Sequence, residues 1–501
     1  MLVNFSTHDF PEVSAEEAAS FIENGQTVAV GGFTAAGSVK LVTRSLAERA
    51  LEMHRNGQEF RVRLLASAST DAAVDEVLAA AEAISYRVPY QGSRLLRQQI
   101  NQHCVEFADM HLSHMVPLLK SGALGPIDFA IFEAAAISSD GRVLLTSGIG
   151  AIPTIARMAR RIIVELNAYH PPDLEGLHDI YELDPPPRTR EVPIYRTSDR
   201  IGSTLMQIDP ARVVAVVRTD IPDNPPPLQP MDDISRKIGE NIAQFLLSER
   251  LAGRIPEKFL PLQAGVGNVS NALMGTLCTD SAFPPFDMYS ELLQDTIFDG
   301  IECGRVRFAS SSGLAVSPAI LRRIYDHLDE YHKKLVLRPM EISNHPEVIR
   351  RLGVIGINGA LEVDLWGNVN STHVSGTQLV NGIGGSGDFS RNCAISIFAT
   401  PSTAKNGKIS CIVPMCSHID HTEHDTQIFV TEYGVADLRG LCPSRRAKTI
   451  IEKCAHPDYR PLLYDFLKYD KGHIPIDIQR AFSCCGLKES TSLNTIPCRS
   501  D

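Results

Sequence analysis

Short runs of β-branched and aliphatic residues, bounded by Gly, Pro and Asp, recur through the first half of the chain: Thr27 to Val30, Val62 to Leu65, Phe129 to Phe132, Ile162 to Glu165 and Val213 to Val217. Runs of this kind, apolar on both faces and separated by amphipathic segments, predict βαβ units and a largely parallel sheet. The first helix is announced by Ser14-Ala-Glu-Glu17. A serine and a glutamate three apart can satisfy each other's free N–H groups as a capping box, and the pattern predicts a helix to about Ile22.

The stretch Ile221-Pro-Asp-Asn-Pro-Pro-Pro-Leu-Gln-Pro230 interrupts this alternation. Proline lacks a backbone donor and restricts its predecessor, so neither a helix nor a central strand can pass through it. A long helix is predicted beyond it, from Asp233 to Leu251, with Ile234, Ile238, Ile242, Phe245 and Leu246 on one buried face. A second series of strand-like runs follows: Val306 to Phe308, Val354 to Ile357, Leu361 to Leu365, Ile395 to Phe398, Ile409 to Val413, and Ile428 to Val430. The expected fold class is therefore α/β, with two similar open domains, largely parallel sheets and a site in the cleft between them. The expected boundaries are 1–220, a Pro-rich linker at 221–232, and 233–485; residues 486–501, polar and aperiodic, are expected to be disordered. A weak internal echo agrees with two related halves. Glu133-Ala-Ala-Ala-Ile, Gly141-Arg-Val143 and Ser147-Gly-Ile-Gly150 resemble Leu361-Glu-Val-Asp, Gly367-Asn-Val369 and Asn381-Gly-Ile-Gly384.

Composition narrows the class. With 501 residues, 44% hydrophobic and 21% charged, the chain is long enough for at least two cores. A net charge of −11 without a basic stripe argues against nucleic acid as a partner. No run reaches the roughly 20 apolar residues that span a bilayer, so no membrane partner is expected. The first twenty residues lack the basic start and apolar core of a secretory signal, and the 11 cysteines are scattered, several within apolar stretches. Cytoplasmic residence with reduced thiols is the expectation.

Three glycine-rich loops stand out: Gly31-Gly-Phe-Thr-Ala-Ala-Gly37, Gly265-Val-Gly-Asn-Val-Ser-Asn271 and Gly382-Ile-Gly-Gly-Ser-Gly-Asp388. Glycine lets backbone N–H groups approach an anion, and it also serves tight turns, so each loop alone is ambiguous. None matches a Gly-x-x-x-x-Gly-Lys-Ser/Thr or a well-placed Gly-x-Gly-x-x-Gly fingerprint, which lowers kinase, ATPase and dehydrogenase readings. Cys416-Ser-His418-Ile-Asp-His421-Thr-Glu-His424 invites a metal site. The preceding strand-like run and Pro414 make it a strand end, where histidines three apart do not share a side, so a polar loop at the rim of a site is expected and no metal. Glu291, in Tyr289-Ser-Glu-Leu-Leu-Gln-Asp295, has nothing in its spacing to separate it from the other acids.

Taken together, Gln263-Ala-Gly-Val-Gly-Asn268, Tyr289-Ser-Glu-Leu292, Glu341-Ile-Ser-Asn344, Gly367-Asn-Val-Asn-Ser-Thr-His373, Asn381-Gly-Ile-Gly-Gly-Ser-Gly-Asp-Phe389 and Thr431-Glu-Tyr-Gly-Val-Ala-Asp-Leu-Arg439 resemble the acetyl-CoA hydrolase/transferase family of class I CoA-transferases. The resemblance implies an enzyme that moves coenzyme A between an acyl-CoA and a small carboxylic acid. Phe259-Leu-Pro-Leu-Gln263, Val413 to His418 and Ala455-His-Pro457 lean toward the members that use propionyl-CoA and succinate; transfer between succinyl-CoA and acetate, or acetyl-CoA hydrolysis, are the alternatives, and a non-catalytic CoA-binding protein is a distant third.

It also implies roles, position by position. Glu291 matches the glutamate that carries CoA as a thioester. Gln263, Ala264, Gly265, Val266 and Gly267 match a CoA-binding loop, with the Val266 N–H in the oxyanion hole and Gly385 supplying the other donor. Leu361, Asn381 and Lys405 match further CoA contacts, Lys405 toward a phosphate, while Lys405-Asn-Gly-Lys408 also reads as a plain β-turn. Asn344 matches a side chain that orients the acyl group, and Glu432 one near the reacting carboxylate. No resident cofactor is implied, since CoA is a substrate, and a homodimer is expected from the family alone.

Overall fold

The structure, a computed structural model, describes residues 10–467 and 472–484 apart from 189, 228, 229 and 266. The 486–501 tail and Val266 therefore lie outside the described residues.

The first sheet contains β1 (Thr27–Thr34), β2 (Val62–Ser69), β3 (Ile84–Val88), β4 (Glu106–Phe107), β5 (Ile127–Ala134), β6 (Ala159–Asn167) and β7 (Val213–Thr219). Their spatial order is β7-β6-β5-β1-β2-β3-β4, parallel throughout. Side chains alternate across a strand, so both faces of a central one must be apolar. In β1, Val28 and Val30 enter one core with Val42, Leu46 and Ala50 of the helix Val42–Arg55. Ala29 and Phe33 enter the other core, with Ile152 and Ile155 of the helix Ile152–Met158. The predicted first helix spans Ala15–Ser20, with Ser14 Oγ accepting from Glu17 N at 3.1 Å.

The second sheet contains β8 (Leu262–Ala264), β9 (Phe286–Tyr289), β10 (Val306–Ser311), β11 (Leu335–Leu337), β12 (Ile355–Gly359), β13 (Ile395–Ala399), β14 (Ile428–Thr431) and β15 (Gly434–Asp437). The order is β11-β10-β9-β8-β12-β13-β14-β15, with only β14 and β15 antiparallel. The winding repeats that of the first sheet. In both, the first strand is central, the next three stack to one side, and the rest stack to the other, three in the first sheet and four in the second. The sequence echo falls at one place in both: β5 and β12 are each followed by a small hairpin, Ala136–Ile137 with Arg142–Leu144 and Glu362–Asp364 with Val369–Asn370.

Two expected sheet strands are corrected by this arrangement. Within Leu361 to Leu365, only Glu362–Asp364 is a strand, and it pairs in a small sheet apart from the large one. Ile409 to Val413 splits into Ile409–Ser410 and Ile412–Val413, which pair in different small sheets. The long helix spans Asp233–Leu251, with Asp232 Oδ1 accepting from Ser235 N at 2.7 Å, but Ile234 in its first turn is 41% exposed, so the buried face begins at Ile238.

The two halves interlock. A segment leaving the first sheet runs along the edge of the second, where Asp179 N donates to Leu337 O at 2.8 Å and Arg338, wholly buried, holds the Asp179 carboxylate. Leu183, Val192 and Ile194 of this strap share a core with Tyr289, Ile342 and Phe389. No helix among the described residues is long and apolar enough to cross a membrane.

Candidate active site

Strand β9 ends at Tyr289, whose hydroxyl is drawn into the core by donating to Ile342 O at 2.6 Å. Two residues on, the backbone carbonyl of Glu291 accepts from Ser311 Oγ at 2.8 Å and from Ser312 N at 3.0 Å. These bonds fix the turn, and the Glu291 side chain enters a cavity of about 360 Å³ between the two sheets. Phe33, Thr34, Ala68, Tyr90 and Leu112 line it from the first half; Gln263, Gly265, Leu361, Asn381 and the loop 382–386 line it from the second.

Asn344 follows the short helix Met340–Ser343, and its Nδ2 donates to Glu291 Oε1 at 2.6 Å and to Asp388 Oδ2 at 3.1 Å. Gly385 lies on the other side, so close that a Cβ there would overlap Glu291 Oε1 and Asn344 Nδ2. Only glycine lets the backbone come this near to the carboxylate. Burial pushes the Glu291 carboxyl up to about 7; the nearby charge of Asp388 adds to the rise, and the Asn344 hydrogen bond opposes it. No basic side chain pairs with Glu291 among the described residues. A carboxylate so placed is dehydrated and poorly compensated, which favours its attack on an electrophile once it ionises.

The glycine loop is clasped by the first half. Tyr90 OH donates to Asn381 Oδ1 at 2.6 Å, and Ile383 N donates to both Asp109 oxygens, at 3.0 and 2.9 Å. Burial raises the Tyr90 hydroxyl to about 12, helped by the charges of Asp109 and Glu291, so it stays a donor. Ser113 donates to Asp388 through both N, at 3.0 Å to Oδ2, and Oγ, at 2.5 Å to Oδ1.

Of the residues singled out by sequence, Gln263, Gly265, Glu291, Leu361, Asn381 and Gly385 line the cavity together, and Asn344 touches Glu291. Ala264 is buried at the end of β8 and accepts from Ser290 Oγ at 3.4 Å. Gly267, with φ of 127°, occupies backbone that favours glycine, and its N donates to Gln294 Oε1 at 3.3 Å. Two residues sit elsewhere. Lys405 is exposed at the tip of the hairpin Thr403–Ala404/Ile409–Ser410, where Lys405 and Asn406 both take positive φ, as the turn reading of Lys-Asn-Gly-Lys expects. The Glu432 carboxylate accepts from Ser402 N at 2.8 Å and Ser402 Oγ at 2.5 Å, and does not line the cavity with Glu291. Sequence reasoning missed Tyr90, Asp109, Ser113 and Asp388. The first three lie in a segment with no motif, and Asp388 was only one letter of a glycine loop.

The histidine-rich segment is a rim. His421 is buried, with Nε2 3.1 Å from Ser386 Oγ and its ring against Phe398; burial lowers it to about 4. His418 stacks on His373 at 3.8 Å, and His424 is exposed, so the three do not converge. Among the described residues, the set that could supply metal donors is Glu133, His170 and Asp223. There Lys40 Nζ already lies 2.5 Å from Glu133 Oε2 and 3.1 Å from Asp223 Oδ1, filling the place of a cation.

Comparison with known proteins gives a consistent result. Residues 6–218 match the acetyl-CoA hydrolase/transferase N-terminal domain, and residues 321–466 match the C-terminal domain of the same name. The chain is 50% identical over 471 residues to propanoyl-CoA:succinate CoA transferase of Escherichia coli K12, covering 94% of this chain and 96% of that protein. It is 43% identical over 475 residues to succinyl-CoA:acetate CoA-transferase of Clostridium kluyveri, covering 94% and 88%. The crystal structure of RipA from Yersinia pestis is similar, with a TM-score of 0.69 and 25% identity over 91% of this chain and 96% of that one.

Proposed function

The chain belongs to the acetyl-CoA hydrolase/transferase family and is an enzyme acting on CoA esters; from that premise we propose that it transfers coenzyme A from propionyl-CoA to succinate, with Glu291 as the carrier. The observation that carries this reading is the geometry at Glu291: an unpaired carboxylate, held by Asn344 and packed against the Gly385 backbone, facing a cavity bounded by both sheets.

In the proposed cycle the Glu291 carboxylate attacks the thioester carbonyl; the C–S bond breaks, leaving an acyl-glutamyl anhydride and a CoA thiolate. The thiolate attacks Cδ of Glu291, the acid departs as carboxylate, and CoA remains as a glutamyl thioester. The acceptor acid runs the same steps in reverse. Each tetrahedral intermediate bears an oxyanion, for which we assign the N–H groups of Gly385 and Val266; one such donor contributes roughly 3 kcal/mol to lowering the barrier. Asn344 orients the reacting carboxylate. The loop Gln263–Gly267 with Leu361 and Asn381 holds the CoA arm, and Lys405 reaches a phosphate from the hairpin tip. No ATP and no metal enters, because one thioester is exchanged for another.

Incubation with propionyl-CoA should leave CoA on the peptide bearing Glu291 by mass spectrometry, borohydride should convert that thioester to the side-chain alcohol with release of free CoA, and Glu291→Ala should bind CoA without forming either product. An unlabelled Glu291 in active protein sinks the assignment. The rival reading, hydrolysis, has the family's own name in its favour. Thiol release measured with and without succinate separates the two: release independent of the acid defines a hydrolase.

A further inference from the structure

Asn344 has a carboxamide whose nitrogen and oxygen are nearly the same size, so packing alone does not decide which of them faces Glu291. The decision is made at Asp388. Its Oδ2 receives the Ser113 backbone N–H at 3.0 Å, a donor that cannot be reversed, and its Oδ1 receives Ser113 Oγ at 2.5 Å. Asp388 Oδ2 is thus an acceptor by construction, and the Asn344 group 3.1 Å from it must be the NH2. The second hydrogen of that NH2 then points at Glu291 Oε1, 2.6 Å away, while Asn344 Oδ1 is turned to Ser343 Oγ at 3.2 Å. Reversed, the amide would place its oxygen against two carboxylates.

We infer that Asp388 is a positioning residue that fixes the Asn344 amide with its donor on Glu291, and that Ser113 of the first half sets Asp388 in turn. The inference rests on Glu291 being the residue that carries CoA. Asp388 touches no reacting atom; it acts through Asn344. The chain of contacts Ser113, Asp388, Asn344, Glu291 also crosses between the halves. Ser113 lies in the first turn of the helix Leu112–Lys120, and Leu112 N donates to Gly384 O at 3.3 Å, beside the glycine that borders Glu291. The nucleophile is correctly dressed only when that helix is docked on the glycine loop.

A double-mutant cycle tests this, with the rate of CoA adduct formation on Glu291 as the readout. Asp388→Ala should slow adduct formation about 30-fold with an unchanged KM for acyl-CoA, because small misplacements of a reacting group cost rate and not binding. Asp388→Asn, which can turn its oxygen to Ser113 N–H and Asn344, should recover at least about tenfold of that loss. In an Asn344→Ala background, Asp388→Ala should cost less than about twofold more, as for residues acting through one contact. An equal loss from Asp388→Ala in both backgrounds overturns the inference, as does equal damage from the Ala and Asn variants. If Asp388→Ala fails to fold, Asp388→Ser carries the same cycle. Failure of the wild-type protein to form any adduct at Glu291 would instead sink the reading of the site on which the inference depends.

Discussion

Two glutamates sit at the carboxyl ends of the two sheets, Glu133 fully buried and Glu291 half-buried at the wall of the cavity, and their neighbours send them in opposite directions. Glu133, near the end of β5, has Lys40 Nζ at 2.5 Å, Asn167 Nδ2 at 2.7 Å, Thr146 Oγ1 at 2.9 Å and His170 Nε2 at 3.0 Å. Burial alone would raise its carboxyl, but Lys40 and His170 hold it well below the ordinary range. Both oxygens are bonded, and Glu133 does not line the cavity that Glu291 enters. Glu291, just past β9, has among the described residues one side-chain donor, Asn344, and no cation, and burial lifts it to about 7. One winding thus carries a carboxylate with full compensation and another without it, and on the proposed function that lack is what keeps Glu291 reactive. A buried charge becomes chemistry where the fold withholds the counter-ion and leaves a cavity in its stead.

The comparison can be broken most directly at Glu291. On the proposed cycle, in which Glu291 carries the thioester, Glu291→Gln should lower transfer by about 10⁴-fold or more, measured as succinyl-CoA formed. On the other side, Lys40→Met should leave Glu133 and Asp223 buried without their shared lysine and cost about 3 to 5 kcal/mol of stability, read by urea unfolding at pH 7. The pH dependence has a definite sign. Because the folded pKa of Glu133 is depressed, its contribution is present above the unfolded value of 4.5 and fades as pH falls through the folded one. The variant should lack that acid-side loss. Gly385→Ala, whose Cβ has no room beside Glu291, should reduce kcat by about 10²- to 10³-fold by displacing the N–H proposed to bind the oxyanion, with Kd for CoA little changed.

A smaller effect sharpens the contrast. The folded pKa of Glu291 is raised, so its contribution to stability is complete below 4.5 and is lost as pH rises toward about 7. Glu291→Gln should therefore be more stable than the wild type by about 1 to 2 kcal/mol at pH 8, after allowance for its partial exposure, and equal to it near pH 4. Thermal unfolding at the two pH values checks this. The smallest effect belongs to Lys405→Ala. A lysine at an exposed hairpin tip is screened by salt, and KM for acyl-CoA should rise less than about threefold at 0.15 M salt with kcat unchanged.

Legibility in the sequence followed the range of the forces involved. The longer strands of the first sheet were readable because each needs apolar residues on both faces, and the Asn406-Gly407 turn because positive φ selects those residues locally. The second sheet's β8 and β9 escaped notice: Leu262–Ala264 and Phe286–Tyr289 are short and lie beside prolines, and their burial comes from strands distant in sequence. Leu361 to Leu365 looked like a sheet strand because its apolar content matches one, whereas its partners, Val369 and Ile412, form a separate small sheet. Glu291 carried no local mark at all. What distinguishes it comes from Asn344, 53 residues away, and from Gly385, so only resemblance to known motifs pointed to it. Tyr90, Asp109 and Ser113 were invisible for the same reason, since their significance lies in a loop of the other half.

The strap that runs from the first sheet along the edge of the second bears on how the protein is made. Apart from Tyr181 and Ile201 of the strap itself, Leu183, Val192 and Ile194 share their core with residues of the second half between 289 and 393. During synthesis the first half leaves the ribosome with these side chains bare, and they stay so until the second sheet has been translated. A chain cut within 221–232 would thus yield a first fragment with exposed apolar side chains, prone to precipitate or to be held by a chaperone.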